Sequence, residues 1–195
     1  MPGVAFSRGE RVALYTIERE DTEFLQRGRN HPVVRGPLGL ADPTNATQVE
    51  ETIEEWFETD EGVGLLACLE SDDEDSDPED SDADPTPIGV VTAKDIHLTR
   101  PEVAYWLFPD YHGEGYATEA LSLLLDHVFD THDARGVEAR VFSHNDASQA
   151  LLDRLGFTRE GELRENRFVE GEYRDEYVYG LLREEWVEER RADER

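Results

Sequence analysis

The chain has 195 residues, with 47 Asp or Glu against 19 Lys or Arg and a formal net charge of −28. That balance excludes unassisted binding to nucleic acid, where basic contacts to phosphate supply most of the affinity, and to an anionic membrane surface. No run of about 18 apolar residues exists, and the start MPGVAFSRGE lacks an apolar signal core, so a cytoplasmic protein of one domain, residues 1–195, is expected.

Val12 to Ile17 (VALYTI) reads as a first strand, and Glu20–Asp21 opens a helical stretch through Phe24 and Leu25. Asn45 or Thr47 caps a second helix, in which Val49, Ile53, Trp56 and Phe57 recur at helical spacing. Gly62 to Leu69, holding the lone Cys68, and Pro87 to Ala93 read as two strands. Cys68 lies in an apolar run, which predicts a buried structural thiol. Between those strands, Glu70 to Pro85 (ESDDEDSDPEDSDADP) holds ten acids and no base. It has no hydrophobic period and predicts a disordered insert over about residues 70–86. Asp73, Asp75 and Asp77 have calcium-loop spacing, but Pro78 stands where that loop needs glycine, so no metal site is read.

Val103 to Phe108, bracketed by Pro101 and Pro109, is a further strand. Ala117, Leu121, Leu124, Leu125 and Val128 then mark an amphipathic helix beginning near Gly115. Val137 to Phe142 alternates as a strand, and Asn145 or Asp146 starts a short helix that Gly156 terminates. Glu162–Val169 and Glu172–Leu182 form a hairpin across Glu170–Gly171. About seven strands and four helices in mixed order predict an α/β fold with a mixed sheet.

His112-Gly113-Glu114-Gly115-Tyr116-Ala117 places two glycines after a strand and directly before a helix. Glycine lets backbone approach a ligand closely, and a helix start offers unpaired N–H groups with the positive dipole end. Together they make a phosphate cradle. Thr118 at the third glycine position rules out a dinucleotide fingerprint, and no Gly-Lys-Ser/Thr closes the segment as a P-loop requires.

At these residues the chain resembles the GNAT superfamily of acetyl-CoA-dependent N-acetyltransferases, whose pyrophosphate loop runs Gln/Arg-x-x-Gly-x-Gly/Ala. His112 to Ala117 map onto that loop, with His112 in place of Gln or Arg. PEVAYWLFPDYHGEGYATEAL, NDASQALLDRLGF and the final hairpin GELRENRFVEGEYRDEYVYGLLREEW resemble the ribosomal-protein N-terminal acetyltransferase branch. The resemblance runs from Ser7 to Trp186 and treats the acidic segment as an insertion. It implies a GNAT fold, with a mostly antiparallel sheet splayed between its fourth and fifth strands.

The same resemblance implies acetyl-CoA as co-substrate, its pyrophosphate held by His112, Gly113, Glu114, Gly115, Tyr116 and Ala117. The pantetheine arm is expected to pair with the backbone of Trp106, Leu107 and Phe108, and Asn145 and Ser148 to add contacts, although both also suit helix capping. Many superfamily members carry a Tyr general acid four residues before the Gly of Gly-Phe. Here that position is Leu152, which leaves the acid unassigned.

The implied reaction is attack of a neutral amine on the acetyl thioester. An α-amine costs about 1.4 kcal/mol to deprotonate at pH 7 and a lysine-like amine roughly 4.6, so an N-terminal acceptor needs only a modest base. Glu102 at the start of the strand is the candidate base. Tyr105 is a candidate proton donor, and Tyr173 and Asp175 of the last hairpin are candidates to contact the acceptor; Glu119 suits the helix start. The expected acceptor is a protein N-terminal α-amine, the alternatives being a small amine such as a polyamine or a non-catalytic acyl-CoA-binding module. A monomer or homodimer without nucleic-acid or membrane partners is expected.

Removing the ten acids of the insert still leaves −18, and Lys94 is the single lysine beside eighteen arginines. Such acidic, lysine-poor composition resembles proteins of salt-accumulating halophilic archaea.

Overall fold

Short apolar runs give most of the strands, and one extended sheet collects them. The computed structural model describes residues 2–56, 61–70 and 85–193; most of the acidic insert, and Phe57, lie outside the described residues. The strands are β1 (Ala5–Arg8), β2 (Val12–Thr16), β3 (Gly62–Leu69), β4 (Thr86–Lys94), β5 (Glu102–Leu107), β6 (Gly136–Phe142), β7 (Thr158–Val169) and β8 (Glu172–Leu182). Their order across the sheet is β1-β2-β3-β4-β5-β6-β8-β7. The helices are α1 (Thr22–Asn30), α2 (Pro32–Arg35), α3 (Ala46–Trp56), α4 (Tyr116–Thr131), α5 (Asp146–Arg154) and α6 (Arg183–Asp193).

Among the described residues the fold is the expected α/β arrangement, with eight strands and six helices against the expected seven or so and four. The additions share a cause: too little apolar pattern to be seen. In β1 the large apolar residue is Phe6, which is exposed. A single turn starting on Pro32 makes α2, and α6 buries Trp186 amid charged neighbours.

Alternation sends side chains to two separate cores. On one face Leu14, Leu65, Val91, Val103, Val137 and Leu181 pack under α4 and α5, whose Leu121, Leu124, Leu125, Val128 and Leu152 are fully buried. On the other, Ala13, Tyr15, Leu66, Cys68 and Val90 pack under Leu25 of α1 and Val49 and Ile53 of α3. Cys68 has no solvent exposure, and burial pushes its thiol up to about 12.

Helix and turn boundaries follow local chemistry. Asn45 rather than Thr47 caps α3, exchanging side-chain bonds with Gln48 in a capping box. At the end of α5, Gly156 at φ +78° donates to Asp153, and Phe157 donates back to Leu152, which is a Schellman closure. Glu170 and Gly171, both at positive φ, make the two-residue turn between β7 and β8.

One irregularity positions the site. All neighbouring strands run antiparallel except β5 and β6, which are parallel and share the register pair Glu102↔Glu138. Backbone bonds from Arg135 N–H to Thr99 (2.8 Å) and from Glu138 N–H to Pro101 (2.9 Å) tie the strands only where they start. On its other side β5 keeps paired with β4 from Glu102 to Leu107. The sheet therefore opens between β5 and β6 toward their carboxyl ends.

Candidate active site

The opening is a cleft of about 370 Å³. Its walls are β5 from Val103 to Leu107, β6 from Ala139 to Val141, the first turns of α4 and α5, and Val33, Val34, Pro37 and Leu38 in and after α2. Two helix starts thus border one space, with α2, packed beside α1, closing the opposite side.

Local backbone geometry explains the glycines of the loop. Gly113 and Gly115 have φ of +86° and +87°, a region that side-chain-bearing residues adopt only with strain. A Cβ at Gly113 would touch nothing, so its requirement is conformational, whereas one at Gly115 would lie 3.2 Å from an Arg11 guanidinium nitrogen. Among the described residues, no backbone carbonyl takes the N–H groups of residues 113–118, and most of that stretch lines the cleft. A start of helix with free N–H groups and an open approach is what a pyrophosphate requires.

His112 is committed elsewhere. Its Nε2 lies 2.9 Å from the Leu107 carbonyl, and since a carbonyl can only accept, Nε2 carries the hydrogen. Its backbone N–H donates to Pro109. The ring therefore ties the loop to the end of β5, and its Nε2 is not free for a phosphate oxygen.

Of the three strand residues expected along the pantetheine, Trp106 and Leu107 line the cleft and Phe108 does not. Phe108 N–H donates to Ile88 of β4 at 2.9 Å, so that pairing edge faces the wrong neighbour, and strand alternation turns Leu107 and Tyr105 toward β6. The Phe108 ring instead joins an aromatic group with Phe24, Trp106 and His31, covered by Arg27.

Tyr105 reaches across to α5, its hydroxyl 2.7 Å from Ser148 Oγ. Burial pushes the Tyr105 phenol up to about 12, against the lowering influence of that hydrogen bond. Asn145 caps α5, its side-chain oxygen accepting from Ser148 N–H at 3.2 Å, and both residues line the cleft. Capping and cleft position coexist here. Leu152 is wholly buried in the core and offers no acid.

Besides Phe108, four expected residues fall outside the cleft lining: Glu114 of the loop, Glu102, Tyr173 and Asp175. Glu102 sits at its floor, where β5 and β6 are still paired, with its carboxylate 3.5 Å from Arg140 Nε. Tyr173 is exposed near the tip of the β7–β8 hairpin, edge-on to Phe168. That tip leans on α2, since Glu170 stands 3.3 Å from where a Cβ on Gly36 would be. Asp175 serves the hairpin itself: its carboxylate accepts from Glu165 N–H at 2.8 Å, where β7 bulges and Glu165 takes φ +50°. The hairpin's own strained backbone thus engages one oxygen of Asp175.

Sequence reading passed over Arg11, Arg140 and Arg154. Arg11 donates to the Glu114 carbonyl at 2.9 Å and covers the Tyr116 ring. Glu119, expected to steady the start of α4, also accepts the N–H groups of Arg11 and Val12 and so staples the loop to β2. Arg140 and Arg154 line the cleft. Glu138, Glu102 and Glu176 surround Arg140 at 3.0, 3.5 and 4.0 Å. Its alternation away from the core on β6 was the available signal.

The acetyltransferase (GNAT) domain family matches residues 11–158. The SPbeta prophage-derived uncharacterized N-acetyltransferase YokL of Bacillus subtilis (strain 168) is 29% identical over 185 residues, covering 94% of this chain and 96% of that protein. A second protein of that organism, provisionally named a ribosomal N-acetyltransferase, YdaF, is 31% identical over 91 residues, 47% of this chain and 50% of it. Spermidine N-acetyltransferase from Vibrio cholerae, solved in complex with CoA and spermine, superposes with a TM-score of 0.79 at 20% identity, over 92% of this chain and 99% of that one. With the splayed sheet and the glycine loop in place, the chain belongs to the GNAT acetyltransferase family, as an N-acetyltransferase whose co-substrate is acetyl-CoA.

Proposed function

We propose that the acceptor is the N-terminal α-amine of a polypeptide. One observation carries this reading: among the described residues, the cleft lining contains no Asp or Glu, although the chain has 47. A polyamine brings several ammonium groups, and each one taken out of water needs a carboxylate partner. A single α-amine carries one charge at most and lies only about 1.4 kcal/mol from its neutral form at pH 7, so it needs no such cluster of carboxylates. Apolar Val33, Val34, Pro37 and Leu38 suit the first side chain of a peptide, and the acidic surface outside the cleft attracts basic proteins, ribosomal ones included.

The residues then divide the work. The loop N–H groups of residues 113–117 hold pyrophosphate, and Leu107, Asn145 and Ser148 line the path of the pantetheine arm. Glu102, behind Arg140, takes the amine proton through water. Tyr105 donates a hydrogen bond to the departing sulfur. Exposed Tyr173 flanks the route by which a polypeptide approaches. Related proteins carry both ribosomal and spermidine names, so the polyamine reading is the competitor. We further infer from the composition that the enzyme works in concentrated salt.

A panel of short peptides with varied first residues, together with spermidine and spermine, assayed by release of free coenzyme A thiol, tests the reading. Turnover of peptides with kcat/KM at least tenfold above that for polyamines is expected. Turnover of polyamines alone would overturn it.

A further inference from the structure

We propose that Arg140 is a positioning residue: its guanidinium clasps β5 to β6 and thereby sets the width of the cleft that receives acetyl-CoA. Glu102 and Glu138 occupy the one register position that β5 and β6 share. Both point to the face that carries α1, so two like charges meet where the strands part. Arg140, two residues farther along β6, contacts both: Nε donates to Glu138 at 3.0 Å, with Nη2 also 3.0 Å away, and the same Nε lies 3.5 Å from the Glu102 carboxylate as an ion pair. Its remaining nitrogen lies 4.0 Å from Glu176 of β8, a buried carboxylate that also accepts from Asn166 at 2.7 Å and stands 3.9 Å from Arg167.

Backbone pairing does not extend past this point, so the side chains decide how far the strands diverge. On the other side of β5 the situation differs. Lys94 stands opposite Glu102 on β4, but there the strands stay paired through Leu107. Losing the Arg140 charge would leave Glu102 and Glu138 facing each other across their register pair, and repulsion would widen the floor. The walls from Leu107 to Asn145 would then no longer match the pantetheine arm.

The clasp predicts a charge rescue that a packing role would not give. Arg140→Gln should weaken acetyl-CoA binding at least tenfold by calorimetry in 0.1 M KCl. Adding Glu138→Gln should restore most of that loss, since it removes the repulsion that Arg140 offsets. Glu138→Gln alone should bind within about twofold of the parent. Raising KCl to 1 M, where the Debye length is about 3 Å, should shrink the Arg140→Gln defect. Near-UV circular dichroism monitors folding, and if Arg140→Gln fails to fold, the double variant must still fold and bind. Normal acetyl-CoA binding by Arg140→Gln, or a loss that Glu138→Gln does not relieve, would overturn the clasp. So would a defect confined to the KM of the peptide acceptor, which would make Arg140 an acceptor contact.

Discussion

A phenol passes its proton only to a stronger base, and burial pushes the Tyr105 hydroxyl up to about 12. Transfer to a thiolate whose conjugate acid lies near 8.5 is uphill by about 5 kcal/mol. In the proposed reading, Tyr105 therefore serves the sulfur as a hydrogen-bond donor rather than as the general acid. Tyr105→Phe should lower kcat about tenfold while changing acetyl-CoA affinity less than twofold. Because the raised phenol keeps its proton to higher pH, kcat of the parent enzyme should show no decline up to pH 10, where an ordinary tyrosine is half ionised. A decline centred near pH 10 that Tyr105→Phe removes would contradict this. At this scale, legibility tracked sequence distance. Gly113 and Gly115 announce themselves because nothing else tolerates their φ. Arg11 was invisible, since the carbonyl it holds lies 103 residues away.

Elements were legible where an apolar period ran for two turns or several alternations. The strongly patterned α4 and the strands around it were read nearly to the residue, whereas β1, α2 and α6 rest on contacts that no local pattern encodes. The seat of α1 on β5 is another such contact. A Cβ on Gly28 would lie 2.1 Å from the Trp106 ring, so that glycine is the gap through which helix and strand approach. Alanine gains about 1 kcal/mol in helix propensity there, but overpacking against a rigid ring costs typically 1–3 kcal/mol. The clash should win. Gly28→Ala is expected to lower Tm by roughly 2–6 °C and to weaken acetyl-CoA binding, because Trp106 lines the cleft. A higher Tm would mean that the ring yields freely.

Across the whole molecule, a charge of −28 opposes both folding and the approach of coenzyme A, itself an anion. At about 10 mM salt the Debye length is near 30 Å and this repulsion spans the protein; at 1 M it shrinks to about 3 Å. Thermal stability and acetyl-CoA affinity should both rise from 10 mM to molar KCl. Equal stability and affinity at the two extremes would remove the inference of a saline habitat and leave the acetyltransferase assignment standing. The single parallel pair in the sheet explains how such an acidic chain keeps an anion site at all. It sets the carboxyl ends of β5 and β6 side by side, so α4 and α5 both begin at the same opening. Each helix start carries roughly half a positive charge, and the two together supply about one. That charge belongs to peptide groups held by chain topology. No pH change titrates it, no single substitution deletes it, and a lineage can shed its lysines without losing it.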